Sequence, residues 1–429
     1  MKKNFRDQWT GLSEKVTKAP VEFWLILGLF VSFVIFYFVP TFFRSADSMA
    51  QGFDYITPRD GMIGGDHYEI VNSMSRSFLF DVPRFVLKGP YPPFTILFHM
   101  PFLLVDTKTS YILISLLSLA SLIFQTLVLP ARLVKTKGYY PFLTALFITG
   151  IFSYGFQFEV ERGQYNLIAL CLTLTSIWIF HRWPGMRWLA YLLFTSAVQL
   201  KVYPAIFIIN LVDNWRDWKG IVQRFMGLGL LNFAMLFLFG SENFFRFFGG
   251  ISKMATSDVS ITVNHSIGSF VALVVGKLPA LTDYSTYFVL AIVMLVFLCL
   301  ALICYQTFIN KFNGVNPFFI LACVVIAQLI PRISFDYTLS IMPAAMAFFF
   351  VGIHENIKQS VVTSLSLFVI CAAYGSTLFA SPYKFAAKEM FPILTPFSNN
   401  FSALVIILIA VTILSLYIRP NQSPQYLKD

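Results

Sequence analysis

The sequence predicts an all-α, polytopic integral membrane protein, and three observations lead to that prediction. Of its 429 residues, 57% are hydrophobic and 12% are charged, and the mean hydropathy is +0.71. Soluble domains usually carry about 25% charged residues. Long apolar blocks recur from Phe23 to Ile418, and a soluble chain cannot bury that much apolar surface. Soluble and nucleic-acid-binding classes are therefore excluded.

The apolar blocks predict about twelve transmembrane elements in a single domain covering residues 1–429. A span needs about 20 apolar residues and must be helical inside lipid. Ten blocks fit that pattern: 23–39, 110–129, 140–156, 167–180, 224–240, 287–308, 317–330, 339–353, 361–379 and 401–418. Two shorter blocks, 188–200 and 205–212, lie on either side of Lys201. We expect them to form a hairpin of partial spans that holds Lys201 at membrane depth.

Lysine and arginine residues in the short loops predict the orientation. When the N-terminus is cytoplasmic, every short basic loop is cytoplasmic too, as the positive-inside rule requires. Both termini are then cytoplasmic, and the first span is an uncleaved anchor. The long external segments include a first loop at 41–108 and another loop at 241–283, with juxtamembrane helices expected at 91–104 and 266–275. The predicted location is the plasma (inner) membrane.

Polar and ionisable residues concentrate in five regions, all on the predicted extracytoplasmic face. These regions are 64–69 with 88–94, 161–166, 199–204, 264–266 and 331–337. A membrane-embedded enzyme that faces outward needs such clustering. No spacing of His, Asp or Glu predicts a metal site, and no cofactor is expected.

The order of these motifs resembles that of the GT-C glycosyltransferases of family 87, which use polyprenol-phosphate sugars. The motifs that carry the resemblance are Asp66 before Tyr68, Tyr91-Pro92-Pro93, Gly163-Gln164-Tyr165-Asn166, Lys201-Val202-Tyr203-Pro204 and Asn264-His265-Ser266. The resemblance runs from Asp66 to Tyr337. One position departs from the family, because Asp336-Tyr337 follows Ser334-Phe335 where members commonly carry a His.

The resemblance implies a GT-C-like fold and transfer of a hexose, with mannose as one candidate. The sugar would move from a polyprenyl-phosphate donor to a glycolipid or glycan acceptor with inversion, and the first external loop would be catalytic. Asp66 is the candidate general base, since a carboxylate can take the proton of an acceptor hydroxyl. Lys201, Arg162 and Arg332 are candidate ligands of the donor phosphate. The candidate substrate-binding residues are His67, Tyr68, Tyr91, Gln164, Asn166, Asn264, His265, Asp336 and Tyr337.

Several alternatives accompany these assignments. The chain could be a secondary transporter or a lipid or oligosaccharide flippase, although an inverted repeat is not evident in its sequence. It could also be a non-catalytic protein of the same fold. Arg162 could simply pair with Glu161, and Arg332 with Asp336. Residues 264–266 also match a glycosylation acceptor.

Overall fold

The computed structural model describes residues 20–38, 63–80, 91–132, 139–256, 263–310, 314–354, 360–379, 396 and 399–418. Within these residues the regular structure is helical, and the pairing between extended segments is an isolated bridge of Asn264 with Phe335. The all-α prediction is therefore confirmed for this part of the chain. The predicted loop residues 41–62 and 81–90 lie outside it.

Sixteen helices make up the described fold, several of them extended by π- or 3₁₀-helical turns. They are α1 (Val21–Phe33), α2 (Gly65–Tyr68, continued through Glu69–Ser75 and Arg76–Phe80), α3 (Phe94–His99, continued by Met100–Leu104), α4 (Thr107–Ile123, continued to Ala131), α5 (Tyr140–Ile151), α6 (Tyr154–Arg162), α7 (Asn166–Arg182), α8 (Arg187–Leu200), α9 (Trp218–Met235), α10 (Gly240–Thr256), α11 (Ile267–Lys277), α12 (Ser285–Ile309), α13 (Pro317–Leu329), α14 (Met342–His354), α15 (Val361–Thr377) and α16 (Phe401–Tyr417). Four 3₁₀ segments connect neighbouring helices of the described chain: Pro184–Met186, Tyr203–Asn210, Pro279–Tyr284 and Asp336–Ile341.

The main core is built around α13, whose residues are all buried. A helix that is apolar on every side lies either in a protein core or in lipid, and the burial of α13 places it in the core. α13 packs against α14, α16 and the 3₁₀ segment Tyr203–Asn210, while α1 packs against α15. Gly28 of α1 allows the last contact, because a Cβ there would lie 2.5 Å from Cβ of Cys371. Small residues let membrane helices approach closely in this way.

Four helical segments of the described chain are long and apolar enough to cross a membrane. They are Val21–Phe38, Thr107–Ala131, Pro279–Ile309 and Asp336–Ile353. Two bent pairs raise this number to six if each is one broken span: α5 with α6 at 52°, and α9 with α10 at 103°. Six further apolar helices are shorter. The number of twelve transmembrane elements stays a prediction.

A second apolar cluster lies beside the predicted polar motifs, and we call it the site-side cluster. Its buried members are Ile70, Val71, Met74, Ile96, Phe102, Ile114, Tyr165, Ile168, Ala169, Leu200 and Phe247. These residues come from α2, α3, α4, α7, α10, the turn before α7 and the end of α8. The cluster therefore packs the first-loop helices against the α7–α8 hairpin. Helices were expected at 91–104 and 266–275, and both are present as α3 and α11.

Candidate active site

The turn that carries Asp66 is attached to the end of α6 through two glycines in left-handed backbone conformations. The amide of Gly64 donates to the carbonyl of Glu161 at 2.6 Å. Gly163 ends α6 with φ of 65°, and Gly64 precedes α2 with φ of 75°. A Cβ on Gly163 would lie 2.7 Å from Cβ of His67. Glycine is required here both by the conformation and by the close approach of the two segments.

This attachment brings Asp66 against Arg162, which lies 96 residues further along the chain. Nη2 of Arg162 donates to Oδ1 of Asp66 at 2.5 Å, and Nε donates to Oδ2 at 3.2 Å. The amide nitrogen of Gln164 also donates to Oδ2 of Asp66. Arg162 therefore forms a bidentate ion pair with Asp66. The sequence had suggested Glu161 as an alternative partner, but the structure pairs Arg162 with Asp66. A carboxylate has about four acceptor positions, so Asp66 retains one for a substrate hydroxyl.

Gln164 connects Asp66 to Lys201. The Nζ atom of Lys201 donates to Oε1 of Gln164 at 2.6 Å, while the other end of the amide bonds to Asp66. The ammonium also lies 4.3 Å from the ring centre of Tyr165 and 5.2 Å from that of Tyr91. Aromatic faces stabilise a cation that has left water. One side-chain amide thus separates the candidate base from the candidate phosphate-binding ammonium.

The end of α8 fixes the position of Lys201. The helix stops at Leu200, because Lys201 has extended backbone angles and Pro204 lies just beyond. The hydroxyl of Thr95 donates to the carbonyl of Leu200 at 3.1 Å, which satisfies an otherwise unpaired group at the end of a helix. The hydroxyl of Tyr203 donates to the carbonyl of Asn166 at 2.7 Å. The predicted break at Lys201 between two short helices is therefore present.

Two cations, Arg162 and Lys201, lie at this site. Arg162 is paired with Asp66, and Lys201 is hydrogen-bonded to the neutral amide of Gln164. Burial, followed by the negative charge of Asp66, raises the pKa of the Tyr91 hydroxyl above its usual range. Tyr91 is therefore neutral at physiological pH and acts as a hydrogen-bonding group with a ring face. The arrangement suits an anionic ligand beside a hydroxyl-bearing one.

A second polar cluster joins the segment before α11 to the segment after α13. Nδ1 of His265 lies 3.0 Å from Oδ1 of Asp336, and its Nε2 lies 3.0 Å from Oγ of Ser334. The Asn400 amide donates to the same oxygen of Asp336 at 3.0 Å. Oδ1 of Asn264 accepts from the amide of Ser334 at 2.8 Å. All these side chains are buried, so the cluster holds the two segments together.

Tyr337 and Arg332 belong to the segment that this second cluster holds in place. The ring of Tyr337 packs edge-on against Phe158 of α6 at 5.6 Å. Phe158 and Arg162 belong to the same helix, so Tyr337 lies beside the helix that carries the Arg162 side chain. The carbonyl of Arg332 accepts from the hydroxyl of Ser266 at 2.7 Å, while the side chain of Arg332 is exposed. The side chains of Asn264, His265 and Asp336 have almost no exposed surface in the structure. The substrate contacts predicted for them stay predictions.

Three other predicted site residues lie beside the Asp66 pair rather than in it. Nε2 of His67 lies 2.6 Å from the hydroxyl of Ser110, and the buried ring contacts Phe102. Burial lowers the pKa of His67 to about 4. Tyr68 faces Tyr111, with the ring centres 6.3 Å apart. The side chain of Asn166 is buried at the start of α7. Direct substrate contacts by these three residues also stay predictions.

Glu159 is a buried residue of this region that the motif comparison did not select. Its Oε1 accepts from the amide of Leu167 at 2.9 Å, and its Oε2 accepts from the hydroxyl of Ser340. Its own carbonyl accepts from the amide of Gln164 at 2.9 Å. Glu159 therefore fixes the turn that carries Gln164. An acid between Phe158 and Val160, just beyond the apolar block at 140–156, was the signal that could have identified it.

The described residues contain no group of three or more His, Cys, Asp or Glu side chains that could hold a metal ion. The polar groups that converge are instead one carboxylate, two cations, an amide and three tyrosines. Such a set can bind a phosphate and activate a hydroxyl. Apolar helices surround it, so the fold and the site together define a helical membrane protein with a polar site at the ends of its helices.

The comparison with known families identifies the class of this protein. The sequence profile of glycosyltransferase family 87 matches residues 90–331, which is more than half of the chain. The chain belongs to glycosyltransferase family 87 and is a membrane glycosyltransferase. The match includes Tyr91, Arg162, Gln164 and Lys201, whereas Asp66 and Tyr337 lie outside it. A search of curated proteins and a search of solved structures found no match.

Proposed function

We propose that the protein transfers a hexose from a polyprenyl-phosphate sugar to a hydroxyl of a glycolipid or glycan acceptor. The observation that supports this most directly is the chain of contacts from Asp66 through Gln164 to Lys201. It sets a base and a phosphate-binding cation a few ångströms apart, as a single displacement at a sugar phosphate requires. Mannose is one candidate for the sugar.

Asp66 acts as the general base in this proposal. The acceptor hydroxyl occupies the remaining acceptor position of the carboxylate and gives its proton to it. The acceptor oxygen then forms a bond to the anomeric carbon as the bond from that carbon to the phosphate oxygen breaks. The electron pair of the broken bond stays on the polyprenyl phosphate. Attack from the side opposite the phosphate inverts the anomeric configuration.

Lys201 and Arg162 stabilise the phosphate as its charge grows. The contact of Lys201 with Gln164 leaves two of its three N–H donors for phosphate oxygens. Arg162 uses two of its five donors on Asp66, and its side chain is 41% exposed. Charged donors placed before the reaction need little rearrangement as charge develops. Arg332, whose side chain is exposed, is proposed as a further phosphate ligand.

The aromatic side chains of the site would bind the sugar. Tyr91 and Tyr165 flank the ammonium of Lys201, and Tyr337 packs against Phe158 on the helix that carries Arg162. Neutral tyrosine hydroxyls can hydrogen-bond to sugar hydroxyls, and their rings can stack on a sugar face. The site-side cluster gives the region an apolar wall, which fits a donor and an acceptor delivered by the lipid phase. We place the site on the extracytoplasmic face of the plasma (inner) membrane, with both termini cytoplasmic.

The test is a donor panel with the purified full-length protein. It is incubated with polyprenyl-phosphate sugars and with nucleotide sugars, each with lipid acceptors, and released polyprenyl phosphate is measured by mass spectrometry. We expect turnover with a polyprenyl-phosphate hexose and a loss of at least about 100-fold in Asp66→Asn, the scale of general-base catalysis. Asp106→Asn is the matched control, because Asp106 is an exposed cap of α4. Turnover with nucleotide sugars alone would refute the donor class, and full activity of Asp66→Asn would refute the base.

A further inference from the structure

The far end of the α7–α8 hairpin carries a cluster of arginines and tryptophans that the reaction does not use. α7 begins at Asn166 beside the active site and ends at Arg182 after 17 residues. At 1.5 Å per residue, that end lies about 25 Å from the site, close to the thickness of a bilayer core. Arg187 begins α8 at the same end. The cluster is therefore at the opposite membrane surface when the hairpin stands across the bilayer.

Two guanidinium groups share one carboxylate at this end. Nη2 of Arg187 lies 2.7 Å from Oδ2 of Asp213, and Nη2 of Arg224 lies 3.1 Å from Oδ1. Both guanidinium groups also stack on the ring of Phe180, at 4.5 and 4.9 Å from its centre. One carboxylate cannot neutralise two arginines, so the group retains one positive charge.

The two arginines differ in how fully they are bonded. Arg224 uses all three of its nitrogens, on the hydroxyl of Tyr191, the carbonyl of Leu211 and Asp213. Arg187 bonds through Nη2, and its buried Nε has no hydrogen-bond partner among the described residues. Buried donors are nearly always satisfied. Arg224 therefore holds the neighbouring segments together, whereas the side chain of Arg187 is 29% exposed and presents guanidinium N–H groups that an anion can reach.

The surroundings of the arginine pair indicate a membrane surface. Five of the seven tryptophans of the chain fall between residues 178 and 218. Trp183, Trp188 and Trp218 are exposed, at 40%, 64% and 65%. Exposed tryptophans gather at the level of lipid headgroups. The basic residues of this end, Arg182, Arg187, Arg216, Lys219 and Arg224, outnumber the acids Asp213 and Asp217 by three.

We infer that this end of the hairpin binds the phosphate of an anionic phospholipid headgroup, with Arg187 as its main ligand. A guanidinium can grip a phosphate through two parallel hydrogen bonds. The tryptophans insert beside the same headgroup, and this favours a lipid over a dissolved anion. The site is separate from the active site and does not depend on the proposed reaction.

The test compares lipid retention by the purified full-length protein and its variants. Native mass spectrometry measures binding of phosphatidylglycerol, of phosphatidylcholine with the same acyl chains, and of inorganic phosphate. We expect the wild-type protein to prefer phosphatidylglycerol. Arg187→Gln should weaken that binding about fivefold, the effect of one basic residue near an anionic lipid surface, and Arg187→Lys should weaken it less. Arg246→Gln is the control, because Arg246 is exposed on α10 and pairs with Glu242.

Equal losses in Arg187→Gln and Arg246→Gln, or equal binding of the two lipids, would overturn the inference. Binding of inorganic phosphate without preference for the anionic lipid would show an anion site and overturn the lipid assignment. Melting temperatures establish that the variants are folded. If Arg187→Gln does not fold, Lys219→Gln serves in its place, since Lys219 is exposed in the same patch. Its loss should likewise weaken phosphatidylglycerol binding about fivefold.

Discussion

The ammonium of Lys201 and the amide oxygen of Gln164 lie 2.6 Å apart, and the nitrogen of that amide donates to Asp66. An amide has one donor end and one acceptor end, so Gln164 matches the order of charges around it. Its acceptor faces the cation and its donor faces the carboxylate. Gln164 is 1% exposed, which makes it a bridge between the two charged groups.

Gln164→Glu should abolish most of the activity because it replaces the donor end with a second carboxylate oxygen. Two carboxylates at hydrogen-bond distance share one proton, and the pKa of one of them rises. Asp66 would then no longer be a free base near neutral pH. We expect a loss of about 100-fold in turnover and a shift of the remaining activity to higher pH. The control is Gln157→Glu, which changes an amide on α6 outside this bridge. Its turnover should be nearly the same as that of the wild type. A fully active Gln164→Glu would show that the bridge is not needed.

Lys201→Met should chiefly weaken use of the donor. The substitution keeps the apolar stem and removes the charge, so a charge-assisted hydrogen bond of about 1.5–3 kcal/mol is lost. We expect the KM for the donor to rise about tenfold to 100-fold, with a smaller effect on the KM for the acceptor. Steady-state kinetics with each substrate varied in turn would measure this. Lys277→Met, at an exposed lysine of α11, is the control. An unchanged donor KM would argue against the phosphate contact.

Gly163→Ala should destabilise the site through the backbone. Alanine is strained at φ of 65°, and its Cβ would lie 2.7 Å from that of His67. Strain of this kind costs about 1–3 kcal/mol. The expected result is a lower melting temperature and reduced activity, because Asp66 and Arg162 are separated. Gly185→Ala is the matched control, since nothing lies within 4 Å of a Cβ there. Equal melting temperatures for the two variants would contradict this role of Gly163.

The stability of the protein should fall as the pH drops from about 6.5 to about 4, in part because of His67. Burial lowers the pKa of His67 from 6.5 to about 4 in the folded protein. Between these values the unfolded chain binds the proton and the folded chain does not, so protonation favours unfolding. The loss from this residue is up to about 3 kcal/mol and is complete below pH 4. Unfolding temperatures measured across this range should fall less steeply in His67→Asn than in the wild type. If the unfolding temperatures of the variant and the wild type fall in parallel, the pKa of His67 is not lowered in the folded protein.

The sequence predicted the parts of the fold that depend on local composition. Apolar stretches predicted helices at 91–104 and 266–275, and the structure has them at 94–104 and 267–277. The polar Lys201 before Pro204 predicted the break between the two short helices. The span expected at 140–156 is instead two helices, α5 and α6, bent by 52°. Ser153 caps α6 and starts it within the apolar block, so this local cap interrupts the single helix that the apolar pattern predicted.

The sequence predicted which residues form the site, but it did not predict which of them pair with each other. Asp66, Arg162, Gln164 and Lys201 were all selected from motifs. Sequence proximity suggested Glu161 as the partner of Arg162, whereas the structure gives it Asp66. That pairing depends on two left-handed glycines and on a hydrogen bond between segments far apart in the chain. Gln164 was expected to bind substrate, and that contact stays a prediction; the structure adds that its side chain lies between Asp66 and Lys201. Local patterns carry no information about such long-range attachments.

The right-angled turn after α9 has a consequence for how this protein responds to its bilayer. If α9 stands across the membrane, α10 lies along its surface, since the two helices meet at 103°. Phe245 of α10 then faces acyl chains, while Phe247 on the opposite side is packed with Leu200, next to Lys201. A thinner or thicker bilayer that tilts α9 would also rotate α10. This rotation would change the packing of Phe247 in the site-side cluster, to which Leu200 next to Lys201 also belongs. Turnover should therefore depend on the chain length of the surrounding lipids as well as on the chemistry of the substrates.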